Sequence, residues 1–182
     1  LAPSKTPFCN VHTVGVPRVG VPQYTWLTEV NSNVRAGCRH QKGGPEQCPT
    51  TFIGPLGIAA SFNRTSWYLK GDVISTEMRA FAPGGLSGFG PNINLLKDPR
   101  YGRNSELAGE DPVLAGEYAV AYLKGMQQWA GEGTGARVKM NAYVKHYTAY
   151  GVETDRFNFV SNVTQFTFWD SYLPQYEMAF RD

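Results

Sequence analysis

The sequence of 182 residues lacks long apolar runs and long runs of like charge. Its apolar stretches are interrupted by Gly, Pro or polar residues well before the roughly 18 positions that a transmembrane helix requires. The 17 basic and 15 acidic residues leave a formal charge of +2. The sequence therefore predicts no membrane span, and it predicts neither nucleic acid nor an anionic membrane surface as a partner.

Cysteine is also scarce: the chain has three, at Cys9, Cys38 and Cys48. This number is too small for a disulfide-dense scaffold, and the spacing lacks the tight Cys-x-x-Cys pairs of zinc sites. We therefore predict no metal site. Cys38 and Cys48 bracket a polar loop that a disulfide could close, leaving Cys9 as the odd cysteine. The sequence leaves open whether they pair.

The chain lacks a phosphate-binding glycine fingerprint as well. Residues 84–90 are rich in glycine, but they precede a predicted strand, whereas a dinucleotide fingerprint follows a strand and opens a helix. An open α/β sheet with a nucleotide site is thereby disfavoured, and we predict no cofactor.

What the sequence does contain is an alternation of short apolar runs with amphipathic segments, which is typical of βαβ units. Asn63 and Asp111 are predicted helix N-caps, because each precedes apolar residues at spacings of three and four. The predicted elements are a strand or buried extended segment at 52–60, a helix at 63–82, a strand in 86–96, a helix at 111–129 stopped by glycines at 131–135, a strand at 137–146 and a helix at 164–180 broken at Pro174. The predicted apolar stripes are Trp67, Lys70, Ile74, Met78 and Phe81, then Leu114, Tyr118, Tyr122, Met126 and Trp129, and finally Phe166, Trp169, Leu173 and Tyr176.

This order of elements predicts an α/β fold with a parallel sheet, either doubly wound or a (β/α) barrel. A complete barrel typically needs about 250 residues. The chain is therefore expected to form a smaller open sheet or part of a barrel, and at roughly 150 residues per domain it amounts to one domain or part of one.

Three polar clusters are candidate sites. Lys97-Asp98-Pro99-Arg100-Tyr101-Gly102-Arg103-Asn104-Ser105-Glu106 follows a predicted strand, where barrel enzymes build their sites, but its composition also suits a solvated loop. Lys145-His146 ends the next strand, although a lone His there is usually structural. Tyr24-Thr25-Trp26-Leu27-Thr28-Glu29 combines aromatic rings with a carboxylate, as sugar sites do, or is an exposed Glu beside a core Trp. Glu110-Asp111 is more typical of a helix cap than of a catalytic pair.

Several motifs, in one order along the chain, carry a family resemblance. They are Val16-Pro17-Arg18, Val21-Pro22, Tyr24-x-Trp26-x-x-Glu29, Ile58-Ala59-Ala60-Ser61-Phe62-Asn63, Ser75-x-Glu77-x-Arg79-Ala80, Gly90-Pro91-Asn92-Ile93-Asn94, Asp98-Pro99-Arg100-Tyr101-Gly102-Arg103-Asn104-x-Glu106, Gly109-Glu110-Asp111-Pro112, Val144-Lys145-His146-Tyr147-x-Ala149-Tyr150, Asp155-Arg156-Phe157 and Tyr172-Leu173-Pro174. Together they resemble the glycoside hydrolases of family 3, particularly the β-xylosidase branch. Leu107-Ala108 and Lys97 depart from the usual family residues.

The resemblance implies that residues 1–182 are the N-terminal part of a (β/α) TIM-type barrel in a retaining enzyme that hydrolyses terminal non-reducing β-linked sugars. It implies that Arg103, Lys145 and His146 bind hydroxyls of the sugar whose bond is cleaved, and that Glu29 binds its far hydroxyls. The expected partners are a glycoside substrate, the remainder of the barrel and a C-terminal domain.

The resemblance also implies that the nucleophile and the acid/base lie downstream of Asp182. No catalytic residue is therefore assigned within the chain, and the chain alone is expected to be inactive. The other carboxylates of the central motifs are not expected to substitute, because their motif positions indicate loop and helix-start structure. These carboxylates are Asp98, Glu106, Glu110 and Asp111.

The length of Glu29 bears on the sugar. Glucosidases of the family usually carry a shorter Asp there, and a Glu would reach into the space that the hydroxymethyl group of glucose needs. A pentose such as xylose or arabinose is therefore expected. A non-catalytic carbohydrate-binding or structural remnant of the fold is the alternative function.

Two glycosylation sequons, Asn63-Arg64-Thr65 and Asn162-Val163-Thr164, weakly favour an extracellular glycoprotein. For each Asn taken alone, however, a helix N-cap or a chance triplet is the better interpretation.

Overall fold

The computed structural model describes residues 11–40, 42–82, 84–129 and 137–182. Its strands are β1 (His12–Thr13), β2 (Tyr24–Thr25), β3 (Thr28–Glu29), β4 (Arg39–His40), β5 (Glu46–Gln47), β6 (Ser87–Asn92) and β7 (Asn141–Lys145). Its helices are α1 (Pro55–Ala59), α2 (Arg64–Phe81), α3 (Pro112–Gln127), α4 (Gln165–Thr167) and α5 (Pro174–Arg181), with 3₁₀ turns at Pro17–Val19 and Asn104–Glu106 and a π turn at Phe168–Tyr172. Cys9, Pro83 and the predicted helix stop at 131–135 lie outside the described residues. None of the described helices has the length and apolar character that crossing a membrane requires.

The central sheet consists of β3, β6 and β7, all parallel and hydrogen-bonded in that order. Helix α2 connects β3 to β6, and α3 connects β6 to β7, so the predicted parallel α/β organisation is confirmed. Each strand joins the sheet beside its predecessor, as in a barrel wall, whereas a doubly wound sheet reverses direction at a switch point. Strands β6 and β7 lie within the predicted segments 86–96 and 137–146 and are shorter than predicted.

The predicted strand at 52–60 is wrong, because this segment contains α1 and the sheet opens with β3 instead. Gly54 is the N-cap of α1, and Pro55 occupies its first position, where a missing N–H costs no helical hydrogen bond. The indole N–H of Trp67 donates to the carbonyl of Ile58 at 2.8 Å, which fixes α1 against α2. A short apolar run has no periodicity that distinguishes a buried helix from a buried strand.

Helices α2 and α3 begin at their predicted caps. The Asn63 side chain accepts a hydrogen bond from the backbone N–H of Ser66 at 3.0 Å, and Asp111 accepts one from Leu114 at 2.6 Å. Most residues of the two predicted stripes on these helices are buried, namely Trp67, Lys70, Ile74, Met78, Tyr118, Tyr122 and Met126. Trp129 lies beyond the end of α3 and is 39% exposed.

The C-terminal segment does not form the single helix that the sequence predicts. Thr164 caps the short α4, a π turn follows, and α5 begins at Pro174, so the predicted break is confirmed. The predicted common face is wrong: Phe166 and Trp169 are 78% and 69% exposed, whereas Tyr176 is 3% exposed. A π turn has more residues than an α-helical turn, so it shifts the face on which later residues lie.

A disulfide between Cys38 and Cys48 closes the hairpin of β4 and β5. Their Cα atoms lie 4.2 Å apart. This is the pairing that the sequence left open.

Helices α2 and α3 approach each other through two glycines. A Cβ atom on Gly71 would overlap the carbonyl oxygen of Tyr122 and lie 3.0 Å from the backbone nitrogen of Met126. A Cβ atom on Gly125 would overlap the carbonyl oxygen of Tyr68 in the same way. Because the obstructing atoms belong to helix backbone, no side-chain rotation can relieve either overlap.

We predict that Gly71→Ala destabilises the protein. In an exposed helix, alanine is more stable than glycine by about 1 kcal/mol. Overpacking a rigid contact costs about 1–3 kcal/mol, and here the added methyl group would force the two helices apart. We expect a net loss in the free energy of unfolding and a lower Tm, measured by thermal denaturation. Gly37→Ala is the matched control, because a Cβ atom there meets nothing within 4 Å. A Gly71→Ala Tm equal to that of the unmodified chain would contradict this packing.

Candidate functional site

Polar side chains gather where the three parallel strands end. Glu29 is the last residue of β3, Asn92 the last of β6 and Lys145 the last of β7. Asn92 pairs with Lys145 across the ladder. Because carboxyl ends of parallel strands meet at one edge, residues far apart in sequence share this edge.

The centre of this edge is an ion pair between Glu29 and Lys145. The Lys145 Nζ atom donates to both Glu29 carboxylate oxygens, at 2.7 and 2.8 Å. The Lys145 side chain is 6% exposed and that of Glu29 is 30% exposed. The ammonium is therefore buried, whereas the carboxylate keeps one side open.

Arg103 and Glu106 form a second, bidentate pair. Arg103 donates from Nε to one Glu106 oxygen and from Nη2 to the other, both at 2.8 Å. Arg103 caps the 3₁₀ turn at Asn104–Glu106, and side chains three residues apart eclipse each other in such a turn. The local fold therefore brings the two side chains face to face.

Glu106 joins the two pairs into one network. Its Oε2 atom lies 3.7 Å from Lys145 Nζ and accepts a hydrogen bond from the Asn31 side-chain amide at 2.9 Å. Burial alone would raise the pKa of Glu106, but the hydrogen bonds and charge of Arg103, together with the charge of Lys145, outweigh it and lower the pKa. The network thus pairs the carboxylates of Glu29 and Glu106 with the cations of Arg103 and Lys145.

His146 lies beside this network. Its ring packs edge-on against Tyr150, with 5.0 Å between ring centroids, and the Arg103 guanidinium carbon lies 5.9 Å from the same Tyr150 centroid. The Nδ1 atom of His146 is buried and has no hydrogen-bond partner within the described ranges. Burial lowers the pKa of His146 to about 4, with further lowering by Arg103 and Lys145. The imidazole is therefore neutral at neutral pH.

A cavity of about 350 Å³ opens on the network. Its lining residues are Glu29, Asn31, Ser32, Asn33, Arg35, Arg103 and Glu106. Lys145 is absent from this lining because its ammonium is buried against Glu29. A second cavity of about 670 Å³ is lined by the segment after β7 and includes His146, Tyr150 and Phe157.

Three other residues of the polar segment after β6, Asp98, Arg100 and Asp111, have structural partners. Arg100 binds Asp98 at the surface, and this hydrogen bonding lowers the pKa of Asp98 to about 2. Asp111 caps α3, which confirms the cap interpretation for this residue.

Cys38, Glu46 and Cys48 bring potential metal-ligand atoms within 4.8 Å of one another, but the two sulfurs are bonded together and offer no thiolate.

The chain matches known proteins along most of its length. A family model described as the N-terminal domain of glycosyl hydrolase family 3 matches residues 35–179. This chain belongs to glycosyl hydrolase family 3. Among its relatives, β-xylosidase/α-L-arabinofuranosidase 2 of Medicago sativa subsp. varia is 41% identical over 179 residues, which cover 93% of this chain and 23% of the relative. β-D-xylosidase 1 of Arabidopsis thaliana is 40% identical over 171 residues, which cover 88% of this chain and 21% of the relative. The family 3 chain thus spans less than a quarter of the length of these relatives.

Solved structures of the family share the fold. An exo-β-xylosidase in complex with a xylobiose aziridine activity-based probe superimposes with a TM-score of 0.77 at 30% identity, covering 91% of this chain and 22% of that one. β-Glucosidase 3B from Thermotoga neapolitana in complex with glucose gives a TM-score of 0.77 at 28% identity, covering 92% of this chain and 22% of that one. The predicted fold, part of a (β/α) barrel, is confirmed.

The predicted site residues of this family 3 chain come together to different degrees. Glu29, Arg103 and Lys145 share one network, and His146 adjoins it through Tyr150. Glu106 was not predicted as the residue that joins the two ion pairs. The Arg103-x-x-Glu106 spacing was a signal for this, since opposite charges three residues apart can pair on a helical turn.

We predict that the His146 imidazole titrates at about pH 4, below the ordinary value of 6.5. Between these values the unfolded state binds more protons than the folded state. The stability conferred by neutral His146 is therefore fully present above about pH 6.5 and is lost as the pH falls toward 4. A ¹H–¹³C NMR titration measures the pKa, and His146→Gln identifies the signal and should flatten this part of the stability profile. A His146 signal that titrates at or above pH 6.5 would contradict the buried, neutral imidazole.

Proposed function

We propose that Glu29, Arg103, Lys145 and His146 bind the non-reducing terminal sugar in a retaining, β-xylosidase-like glycoside hydrolase. The observation that carries the proposal is the Glu29–Lys145 pair beside a cavity of about 350 Å³ that Arg103 also lines. The family membership supports a glycosidic substrate.

The polar groups of the site complement a sugar. A hydroxyl group donates one hydrogen bond and accepts others, so neighbouring hydroxyls need partners of both kinds. Each Glu29 oxygen retains accepting capacity beyond its bond to Lys145, and Arg103 has three of its five N–H groups left after binding Glu106. One hydroxyl can therefore donate to Glu29 while its neighbour accepts from Arg103.

Neutral His146 adds one donor and one acceptor to this set. The His146 ring lines the second cavity, of about 670 Å³, so we propose that it reaches the sugar from that side. A protonated imidazole, by contrast, would face the charges of both Arg103 and Lys145.

A pentose is the sugar that we propose. Lys145 holds both oxygens of Glu29, so this carboxylate cannot swing aside without losing two charged hydrogen bonds. A fixed Glu leaves less room than an Asp for the hydroxymethyl group of glucose. The names of the Medicago and Arabidopsis relatives, both β-xylosidases, support the same preference.

The chemical step requires two further carboxyl groups. Retaining hydrolysis uses a carboxylate nucleophile and a carboxyl acid/base about 5–5.5 Å apart, and neither role requires a metal or cofactor. Glu29 and Glu106 are each bound by a cation, so we assign neither to these roles. We propose that the nucleophile and acid/base lie outside residues 1–182, with the remaining barrel strands and a C-terminal domain.

We also propose an extracellular location. The Cys38–Cys48 disulfide suits an oxidising compartment. The Asn63 side chain is occupied as a helix cap, whereas Asn162 is exposed and the following helix is capped by Thr164. Asn162 is therefore the better glycan acceptor of the two.

We predict that a chimera in which this chain replaces the matching segment of the Medicago relative hydrolyses aryl β-xylosides faster than aryl β-glucosides. Glu29→Asp in the chimera should shift that ratio toward glucosides by about tenfold or more, since one methylene in a binding pocket has an effect of this size. Initial rates with both substrates measure the ratio. Glu117→Asp on the outer surface of α3 is the control and should leave the ratio unchanged.

The 182-residue chain alone should release no product above an enzyme-free blank. Faster cleavage of glucosides by the chimera, or an unchanged ratio in Glu29→Asp, would contradict the pentose assignment. Hydrolysis by the chain alone would contradict the assignment of the catalytic carboxylates. Xylose binding by a chimera that hydrolyses nothing would favour a non-catalytic carbohydrate-binding protein.

A further inference from the structure

Glu106 makes contacts with three separate segments of the site. It binds Arg103 from its own turn, Asn31 from the loop after β3 and, at longer range, Lys145 at the end of β7. We propose that Glu106 is a positioning residue that holds the Arg103 guanidinium and the Lys145 ammonium in the orientation in which they serve the sugar. This inference rests on the proposed function.

The bidentate contact fixes both the place and the rotation of the Arg103 side chain. A single hydrogen bond would leave the planar guanidinium free to pivot, whereas two parallel bonds of 2.8 Å define its plane. The Arg103 side chain is 17% exposed, so few water molecules compete for these bonds. The N–H groups not used by Glu106 therefore keep a fixed direction.

The Glu106 carboxylate is itself held from behind. The Asn31 side-chain N–H donates to its Oε2 atom at 2.9 Å, and the side-chain amide oxygen of Asn31 (Oδ1) accepts a hydrogen bond from the backbone N–H of Asn92 at 3.0 Å. Asn92 belongs to β6, the middle strand of the sheet. Hydrogen bonds through Glu106 and Asn31 thus connect Arg103 to the middle strand of the sheet.

The charge of Glu106 is equally important. Arg103 and Lys145 are both cations, and Glu106 lies between them with one oxygen 2.8 Å from Arg103 Nη2 and 3.7 Å from Lys145 Nζ. Without a negative charge there, the two cations would repel each other in a partly buried setting, where screening by water is reduced. Lys145 would then depend on Glu29 alone, and Arg103 would lose its anionic partner.

The same contacts argue against a catalytic role for Glu106. A general acid needs a raised pKa, whereas the cations around Glu106 lower its pKa. Both of its oxygens already accept hydrogen bonds from Arg103. Glu106 therefore acts on the sugar through Arg103 and Lys145.

NMR on the ¹⁵N-labelled 182-residue chain tests this inference, with D-xylose as the added ligand. In the unmodified chain, the Arg103 Nε–H signal should be protected from solvent exchange. Glu106→Gln should remove that protection and weaken xylose binding by about tenfold or more, the effect of one hydrogen bond to a charged group. Glu117→Gln is the control, because it removes the exposed Arg64–Glu117 pair on the outside of α2 and α3. It should change neither quantity.

The outcomes separate the two proposals. Xylose binding that is unchanged in folded Glu106→Gln would overturn the positioning role while leaving the proposed function in place. A chain that binds no xylose would overturn the positioning role in sugar binding, whereas the rates of the chimera test the proposed function separately. A purely structural role would lower the Tm of Glu106→Gln without weakening binding at temperatures where it is folded. If that variant fails to fold, rapid exchange of Arg103 Nε–H in the unmodified chain would overturn the positioning role, and slow exchange would support it.

Discussion

The buried ammonium of Lys145 is the constraint on which the rest of the site depends. An unpaired charge in such a position would cost several kcal/mol, so the end of β7 is stable only where Glu29 from β3 reaches it. The two residues are 116 positions apart in sequence and lie on the two outer strands of the three-stranded sheet. Their bidentate contact therefore sets how the outer strands sit at the carboxyl edge.

The middle strand permits this arrangement because it carries little bulk. A Cβ atom on Gly88 would overlap the Met140 side chain and lie 2.9 Å from a methyl group of Val30. Val30 and Met140 are themselves completely or almost completely buried in the core formed with α2 and α3. Because Val30 directly follows Glu29 in the chain, this apolar packing lies beside the polar network.

The sequence predicted the parts of the structure that local chemistry determines. Asn63 and Asp111 cap their helices as expected, because an acceptor side chain three residues before a free backbone N–H is a local requirement. The approach of Glu29 to Lys145 was also predictable in outline, since carboxyl ends of parallel strands share one edge. Identifying these particular residues depended on the family motifs.

What the sequence did not predict depends on tertiary contacts. The helix around Ile58 is held against α2 by the bond from Trp67 to the Ile58 carbonyl, a contact that no local pattern reveals. Phe166 is exposed whereas Tyr176 is buried, because the π turn between them shifts the helical period. The role of Glu106 was not predictable in full, because two of its partners, Asn31 in the loop after β3 and Lys145 in β7, are distant in sequence.

A crystal structure of the chain soaked with D-xylose tests the central claim most directly. We expect one xylose in the cavity of about 350 Å³, with one hydroxyl donating to the Glu29 carboxylate and an adjacent hydroxyl accepting from Arg103. Lys145 should remain bound to Glu29 in that complex. Xylose bound only elsewhere, or in that cavity without contact to Glu29 and Arg103, would contradict a sugar site built on these residues.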